Sequence, residues 1–285
     1  SANIAWSLLE DRSGVFWVGT INGGISKVNP QVQRFGLYRH HPLDDNSLGF
    51  DVIGSFYEDR AGGLWIGLWG GGLDHFDRAS GQFTHYRSDP NAPSGLHNDT
   101  ISAIYEDDEG LLWIGSFDGL YRLNPATDQF TLFKHDPSEP NSLINNRVYR
   151  MASTGDGRIW LGTLGGLDLF DPQTGRFTHF LHDPDDPNSL PDNQITELYM
   201  SPAGVLWIGG WYGGLAYLDP DAWQAGDVRF ITYRHDPKNP NSLSDNSVWA
   251  IHQDRTGAIW VGTQVGLNRL DRNSQAFTHY REKDG

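Results

Sequence analysis

The chain has 285 residues, a mass of 31.9 kDa and a formal charge of −15, and it contains no cysteine. That acidic balance argues against a phosphate-backbone partner, because nucleic-acid binders carry a clustered basic face. Without cysteine, disulfides, thiolate metal sites and Cys nucleophiles are excluded, and stability has to come from packing.

No apolar run approaches the roughly 18 residues needed to span a bilayer, and no signal peptide opens the chain. The start Ser1-Ala2-Asn3-Ile4 falls directly into a repeat, so the sequence reads as a piece of something longer. The repeat is an apolar residue, Trp, an apolar residue and Gly, centred on Trp17, Trp65, Trp113, Trp160, Trp207 and Trp260 at intervals of 48, 48, 47, 47 and 53 residues. Periods in the range of about 40 to 50 residues mark propeller blades or helical arrays.

Aligned on the Trp, each repeat holds four short apolar segments bounded by Gly, Asp, Asn and Pro. This is strand-and-turn punctuation without a helical period. Strand A is Ile53 to Tyr57 in the second repeat, Ile101 to Tyr105 in the third and Val248 to His252 in the sixth, and an Asp-x-x-Gly turn such as Asp59 to Gly62 follows. Strand B carries the Trp, as in Leu64-Trp65-Ile66-Gly67. Strand C leaves a glycine, as in Gly119 to Asn124, and strand D is aromatic at both ends, as in Phe83-Thr84-His85-Tyr86. A Pro-, Asn- and Ser-rich connection such as Asp236-Pro237 through Pro240-Asn241-Ser242-Leu243 leads to the next repeat.

The expected fold is all-β: a β-propeller of four-stranded antiparallel blades, six of them, spanning approximately 3–50, 51–98, 99–146, 147–193, 194–246 and 247–285 as a single domain over 1–285. An incomplete piece of a seven-bladed ring is the alternative. No blade mixes both ends of the chain, so closure would rest on packing between first and last blades. The repeated Trp reads as packing between blades.

The phrases Ile104-Tyr105-Glu106-Asp107, Gly110-Leu111-Leu112-Trp113-Ile114-Gly115 and Asn241-Ser242-Leu243-Ser244-Asp245-Asn246-Ser247-Val248 resemble the two-component regulator propeller repeat. That repeat is found in extracytoplasmic sensor regions of bacterial hybrid histidine kinases and some diguanylate cyclases. The resemblance implies a periplasmic or extracellular ligand sensor of a membrane-anchored receptor, with an oligosaccharide or other small polar ligand. It further implies neighbouring receptor domains or a dimer partner as contacts, and signalling domains elsewhere. The family usually has seven blades per ring and a β-sandwich module; this chain departs from both.

Function is expected on the loops that a rigid scaffold displays. The B to C loops vary most, and three are longer by one residue: Ile21-Asn22-Gly23-Gly24, Trp69-Gly70-Gly71-Gly72 and Trp211-Tyr212-Gly213-Gly214. Trp69, Phe117, Trp211 and Tyr212 set aromatic faces among glycines, with Asn22, Asp118 and Gln264 as polar neighbours. Such faces suit sugar rings, or they cap the channel. Arg150 and Glu197 occupy the strand A position held elsewhere by Ser7, Ser55, Ala103 and Ala250, and adjacent blades would pair them or offer them to a ligand.

His85, His179 and His279 recur on separate outer strands, too far apart to share an ion, so no metal and no cofactor are expected. No catalytic signature is specific, and the chain reads as a non-catalytic sensor without nucleic acid or direct membrane contact. A protein-interaction scaffold and a polysaccharide lyase or hydrolase are the alternatives.

Overall fold

The computed structural model describes residues 4–29, 34–89, 91–92 and 94–280. The opening Ser1-Ala2-Asn3 and the parts of the expected first and sixth blades at 30–33 and 281–285 lie outside the described residues. Six four-stranded antiparallel sheets follow one another along the chain, each built from four consecutive strands, which is the all-β propeller class. The A strands are Ala5–Glu10, Ile53–Glu58, Ile101–Glu106, Val148–Ser153, Ile195–Met200 and Val248–Gln253. The B strands carry the repeated Trp: Phe16–Thr20, Leu64–Leu68, Leu112–Ser116, Ile159–Thr163, Leu206–Gly210 and Ile259–Thr263.

Two compact units divide these sheets, Ser1–Lys134 with blades 1 to 3 and His135–Gly285 with blades 4 to 6. Within the first unit, Trp17 packs with Leu64 and Phe76 of blade 2, and Trp65 packs with Leu112 and Tyr121 of blade 3. Within the second, Trp160 packs with Leu206 and Ile208 of blade 5, and Trp207 with Ile259 and Val261 of blade 6. Trp17, Trp65, Trp160 and Trp207 therefore each fill the seam to the next blade of their own unit. Truncating one such Trp to Ala would cost about 3–5 kcal/mol.

The repeated glycine after the Trp is explained by the same seam. A Cβ on Gly67 would lie 2.8 Å from Ile101 Cγ2, and one on Gly162 would lie 2.6 Å from Ile195 Cγ2. The first residue of the next A strand needs that space, so the motif encodes how closely the blades approach. The B strands of blades 2 to 5 are buried at every residue, since both faces of those sheets are covered.

The outer D strands would be open edges, which invite unwanted pairing. In blades 2 to 6 the preceding connection covers them. Phe130 N–H donates to Ser94 O at 2.9 Å, Phe177 to Asn141 O at 3.2 Å, Phe230 to Asn188 O at 2.8 Å and Phe277 to Asn241 O at 2.8 Å. In blade 2 the side chain of Asn46 takes over, accepting from Phe83 N–H at 2.8 Å.

The helix-free pattern read from the sequence has one exception among the described residues. A five-residue helix, Pro220–Gln224, is capped by the Asp219 side chain and lies in the repeat whose interval is 53 residues. Its Trp223 packs against Trp160 and Phe180 at centroid distances of 5.6 and 6.2 Å. Proline at the first helical position and an acidic N-cap were the available signals.

Candidate functional site

The A strands are not regular. In each blade one extra residue interrupts the register with strand B: Trp6, Gly54, Ser102, Tyr149, Thr196 and Trp249. A bulge re-aims a side chain and is common beside binding sites. In blades 1 and 6 the bulged residue is a tryptophan, and it meets the aromatics of the B to C loops.

In the first unit Trp6 packs edge-on against Trp69 at 5.2 Å and 64°, and Trp69 packs edge-on against Phe117 at 5.5 Å and 61°. Three successive blades thus contribute to one aromatic row. Gly54 makes the row possible, because a Cβ there would fall 2.5 Å from Trp69 Cδ1 and from the Ile101 carbonyl oxygen. Asp118 stands next to Phe117 and pairs with Lys134 Nζ at 2.5 Å. Asn22 is exposed and adopts a positive φ of 61°, a turn conformation that Asn tolerates.

In the second unit Trp249 packs edge-on against Trp211 at 5.0 Å, and Trp211 lies 6.4 Å from Tyr212. Trp249 Nε1–H donates to Gln264 Oε1 at 3.2 Å, so the sequence candidates Trp211, Tyr212 and Gln264 come together around a residue of the A strand. Arg150 Nε and Glu197 Oε2 are 3.0 Å apart, both side chains about a fifth exposed. Glu197 Oε1 accepts from Leu198 N–H and Arg150 Nη1 donates to Tyr149 O, so the pair is bound into the backbone at both ends.

The loops that hold these rings are fixed by backbone on two sides. Trp69 N–H donates to Val52 O, just before its own A strand, while the Gly70 and Gly72 N–H groups donate to Asp99 O in the next connection. Gly72 has a φ of 76°, which a side chain would resist. Blade 5 repeats the arrangement, with Trp211 N–H on Gln194 O and Gly214 N–H on Asn246 O. A rim held this way loses little conformational freedom on binding.

The matched segments of the family described as "Two component regulator propeller" are residues 1–22, 47–70, 95–118, 142–165, 189–212 and 242–264. The chain belongs to this regulator propeller family. From the second blade on, each segment runs from the end of a connection through the A and B strands, and the last two residues of those in the second, third and fifth blades include the loop aromatics Trp69, Phe117, Trp211 and Tyr212.

No curated protein gives a significant match. Among solved structures, the extracellular domain assigned to a hybrid two component system of Bacteroides thetaiotaomicron is 22% identical with a TM-score of 0.79, covering 100% of this chain and 36% of that one. A second extracellular domain from B. thetaiotaomicron, assigned to a one component system, is 21% identical with a TM-score of 0.53, over 96% of this chain and 40% of that one. This chain therefore spans well under half the length of both domains. Virginiamycin B lyase from Staphylococcus aureus shares the fold at 14% identity and a TM-score of 0.67, over 97% of this chain and 84% of that one.

Several polar residues of this regulator propeller escaped the sequence reading. The Asp of the A to B turn does more than shape a hairpin: Asp11, Asp59, Asp107 and Asp254 each accept from the indole N–H six residues on, at 2.8, 3.0, 2.8 and 2.7 Å. Burial pushes the Asp11 carboxyl up, but hydrogen bonds from Ser13, Trp17 and Val15 outweigh it and hold it down to about 2. The constant spacing of Asp and Trp was the signal.

A second set of histidines lies in the connections. His40, His135, His182 and His235 each place Nδ1 at 2.7–2.8 Å from the carbonyl of a leucine eight residues on. The outer-strand histidines have another partner: His85 and His179 set Nδ1 at 2.7 and 2.6 Å from the fully buried carboxylates of Asp74 and Asp168. Their Nε2 atoms reach carbonyls of the covering connections, Asp45 O and Pro140 O.

Proposed function

We propose that this regulator propeller is the ligand-recognition part of a bacterial signalling receptor, displayed outside the cytoplasm, and that it binds a glycan or similar polar ligand without transforming it. The observation that carries this reading is the pair of aromatic rows, Trp6–Trp69–Phe117 and Trp249–Trp211–Tyr212, built where bulged A strands meet the B to C loops. Family membership and the extracellular domains that share the fold support the cellular setting. Asn22, Asp118, Gln264 and the Arg150–Glu197 pair supply the polar contacts.

A rigid rim transmits a signal only by favouring one arrangement of the receptor. Reversing a 1:99 population takes about 5.5 kcal/mol of differential affinity, so contacts with a neighbouring domain or a second copy have to change on binding. A glycan array followed by calorimetry tests the reading on the wild type and on a Trp69→Ala, Trp211→Ala variant. Each aromatic contact is worth about 0.5–1.5 kcal/mol, so the variant should weaken binding by about fivefold or more. No glycan binding by the wild type, affinity untouched by the double substitution, or release of cleaved product would overturn it.

A further inference from the structure

On the face carrying the A to B turns, the seam between blades 1 and 2 is closed by Arg78, the residue after the last Asp of its C strand. Its Nη1 pairs with Asp11 Oδ2, its Nη2 pairs with Glu58 Oε1, and its Nε donates to Gly62 O at 2.6 Å. Trp17 and Tyr38 stand alongside, 5.9 Å apart and inclined at 28°. Three acceptors hold one planar cation, and Lys27 Nζ stands 4.9 Å from the Trp17 ring.

The seam between blades 2 and 3 repeats this frame without its cation. Asp59 stands for Asp11, Glu106 for Glu58 and Gly110 for Gly62, while Trp65 and Tyr86 lie 5.8 Å apart at 31°. The correspondence extends to the backbone: Arg60 N–H donates to Glu106 Oε2 at 2.9 Å as Arg12 N–H donates to Glu58 Oε2 at 2.8 Å. At the place of Arg78, however, the chain has Pro125, which reaches none of these acceptors. A cavity of about 290 Å³ remains, lined by Asp59, Glu106, Gly110, Trp65, Tyr86 and Pro125, with His75 Nε2 3.2 Å from Asp59 Oδ2 at its edge.

The seam between blades 4 and 5 differs at both carboxylate positions. There Thr154 and Met200 replace the two carboxylates, and the neighbouring group is the apolar indole of Trp223 against Trp160. The Asp156–Arg158 ion pair lies in the same lining.

We infer that the cavity between blades 2 and 3 is a binding site for a guanidinium group supplied from outside the chain. The planar fork of a guanidinium matches two carboxylates and a carbonyl, and its face stacks on aromatic rings, which a compact ammonium does less well. The net charge of −15 favours the approach of such a cation. A free guanidino compound and an arginine side chain of a partner polypeptide present the same chemistry.

The Trp65 indole N–H, bonded to Asp59, is the reporter. Methylguanidinium, methylammonium, a short arginine peptide and its lysine counterpart are titrated into the whole chain while this resonance is followed by NMR. Methylguanidinium and the arginine peptide should shift it at concentrations at least tenfold lower than the ammonium analogues; a shift by the peptide alone assigns the site to a partner's arginine. Pro125→Arg, which restores the arrangement around Arg78, should abolish the response, and Glu106→Gln should weaken it at least tenfold in a folded protein. No shift with either guanidinium probe, equal response to ammonium, or binding that survives Pro125→Arg overturns the assignment.

Discussion

The indole of Trp207 isolates what the A to B turn contributes to a blade. Its Nε1 is buried and has no hydrogen-bond partner among the described residues, because Ser201 stands where blades 1, 2, 3 and 6 have Asp. Ser201 Oγ already accepts from Val205 N–H at 3.0 Å, as Asp11 Oδ1 accepts from Val15 N–H. A carboxylate would keep that bond and add the indole. A hydrogen bond to a charged group is worth about 1.5–3 kcal/mol, and burying the carboxylate offsets part of it. Ser201→Asp should therefore raise the unfolding free energy by about 1 kcal/mol in chemical denaturation. A loss of stability would show that desolvation wins at this turn.

At the scale of the element, the outer strands and their covering connections form clamps that respond to pH. In blade 4 both ring nitrogens of His179 face acceptors, Asp168 Oδ1 and Pro140 O, so the ring is fully bonded only as the imidazolium. The hydrogen bond to Asp168 raises the His179 pKa above its ordinary 6.5, against the opposing effect of burial. His85 is raised in the same way by Asp74, with Arg87 nearby opposing. Burial pushes the Asp168 carboxyl up, against the opposing hydrogen bonds from His179 and the Ile144 N–H.

The folded pKa of each histidine lies above the unfolded one. Their stabilisation is therefore complete below pH 6.5 and is lost as pH rises through the raised values. Asp11 acts in the opposite sense: its folded value of about 2 lies below the ordinary 3.8, so its contribution is present above 3.8 and lost as pH falls toward 2. Thermal unfolding should show a plateau between these limits, with a decline on the alkaline side that His179→Gln reduces. An alkaline limb unchanged in that variant would remove the clamp as its cause.

These clamps also mark where the sequence stopped being readable. Blade order, the Trp seams, the loop aromatics and the Arg150–Glu197 pair follow from repetition, because residues at one position of adjacent blades become neighbours. The bulge at Trp6 and Trp249 is a matter of backbone register, which residue types alone do not encode. The His85–Asp74 contact joins two strands through a pair that only blades 2 and 4 carry, and in blade 6 Asn268 takes the carboxylate's place. A pattern present in two repeats of six is hard to separate from chance.

For the whole molecule, stability is close to a sum of blade terms and seam terms. Leu73, Leu120, Leu167 and Leu215 are completely buried at the head of their C strands, whereas Leu267 of blade 6 is 42% exposed. Gly262 agrees with this, since the first atom an added Cβ would meet is Ala250 of its own blade at 3.3 Å. At the other end of the sequence Leu8 of blade 1 is 67% exposed, while its counterpart Leu198 is buried. Leu267→Lys should accordingly cost less than about 1 kcal/mol, and Leu215→Lys, which strands a charge in a seam, should unfold the protein or cost more than about 4 kcal/mol. Equal costs at the two positions in denaturant titrations would refute a difference in cover.

The carbonyls that fasten the outer strands have a consequence for biogenesis. In blades 3 to 6 the latch for the fourth strand sits in residues made before the blade begins. As the polypeptide leaves the ribosome, the newly emerging outer strand of each of these blades finds its fastening already in place and does not wait for sequence still to be translated.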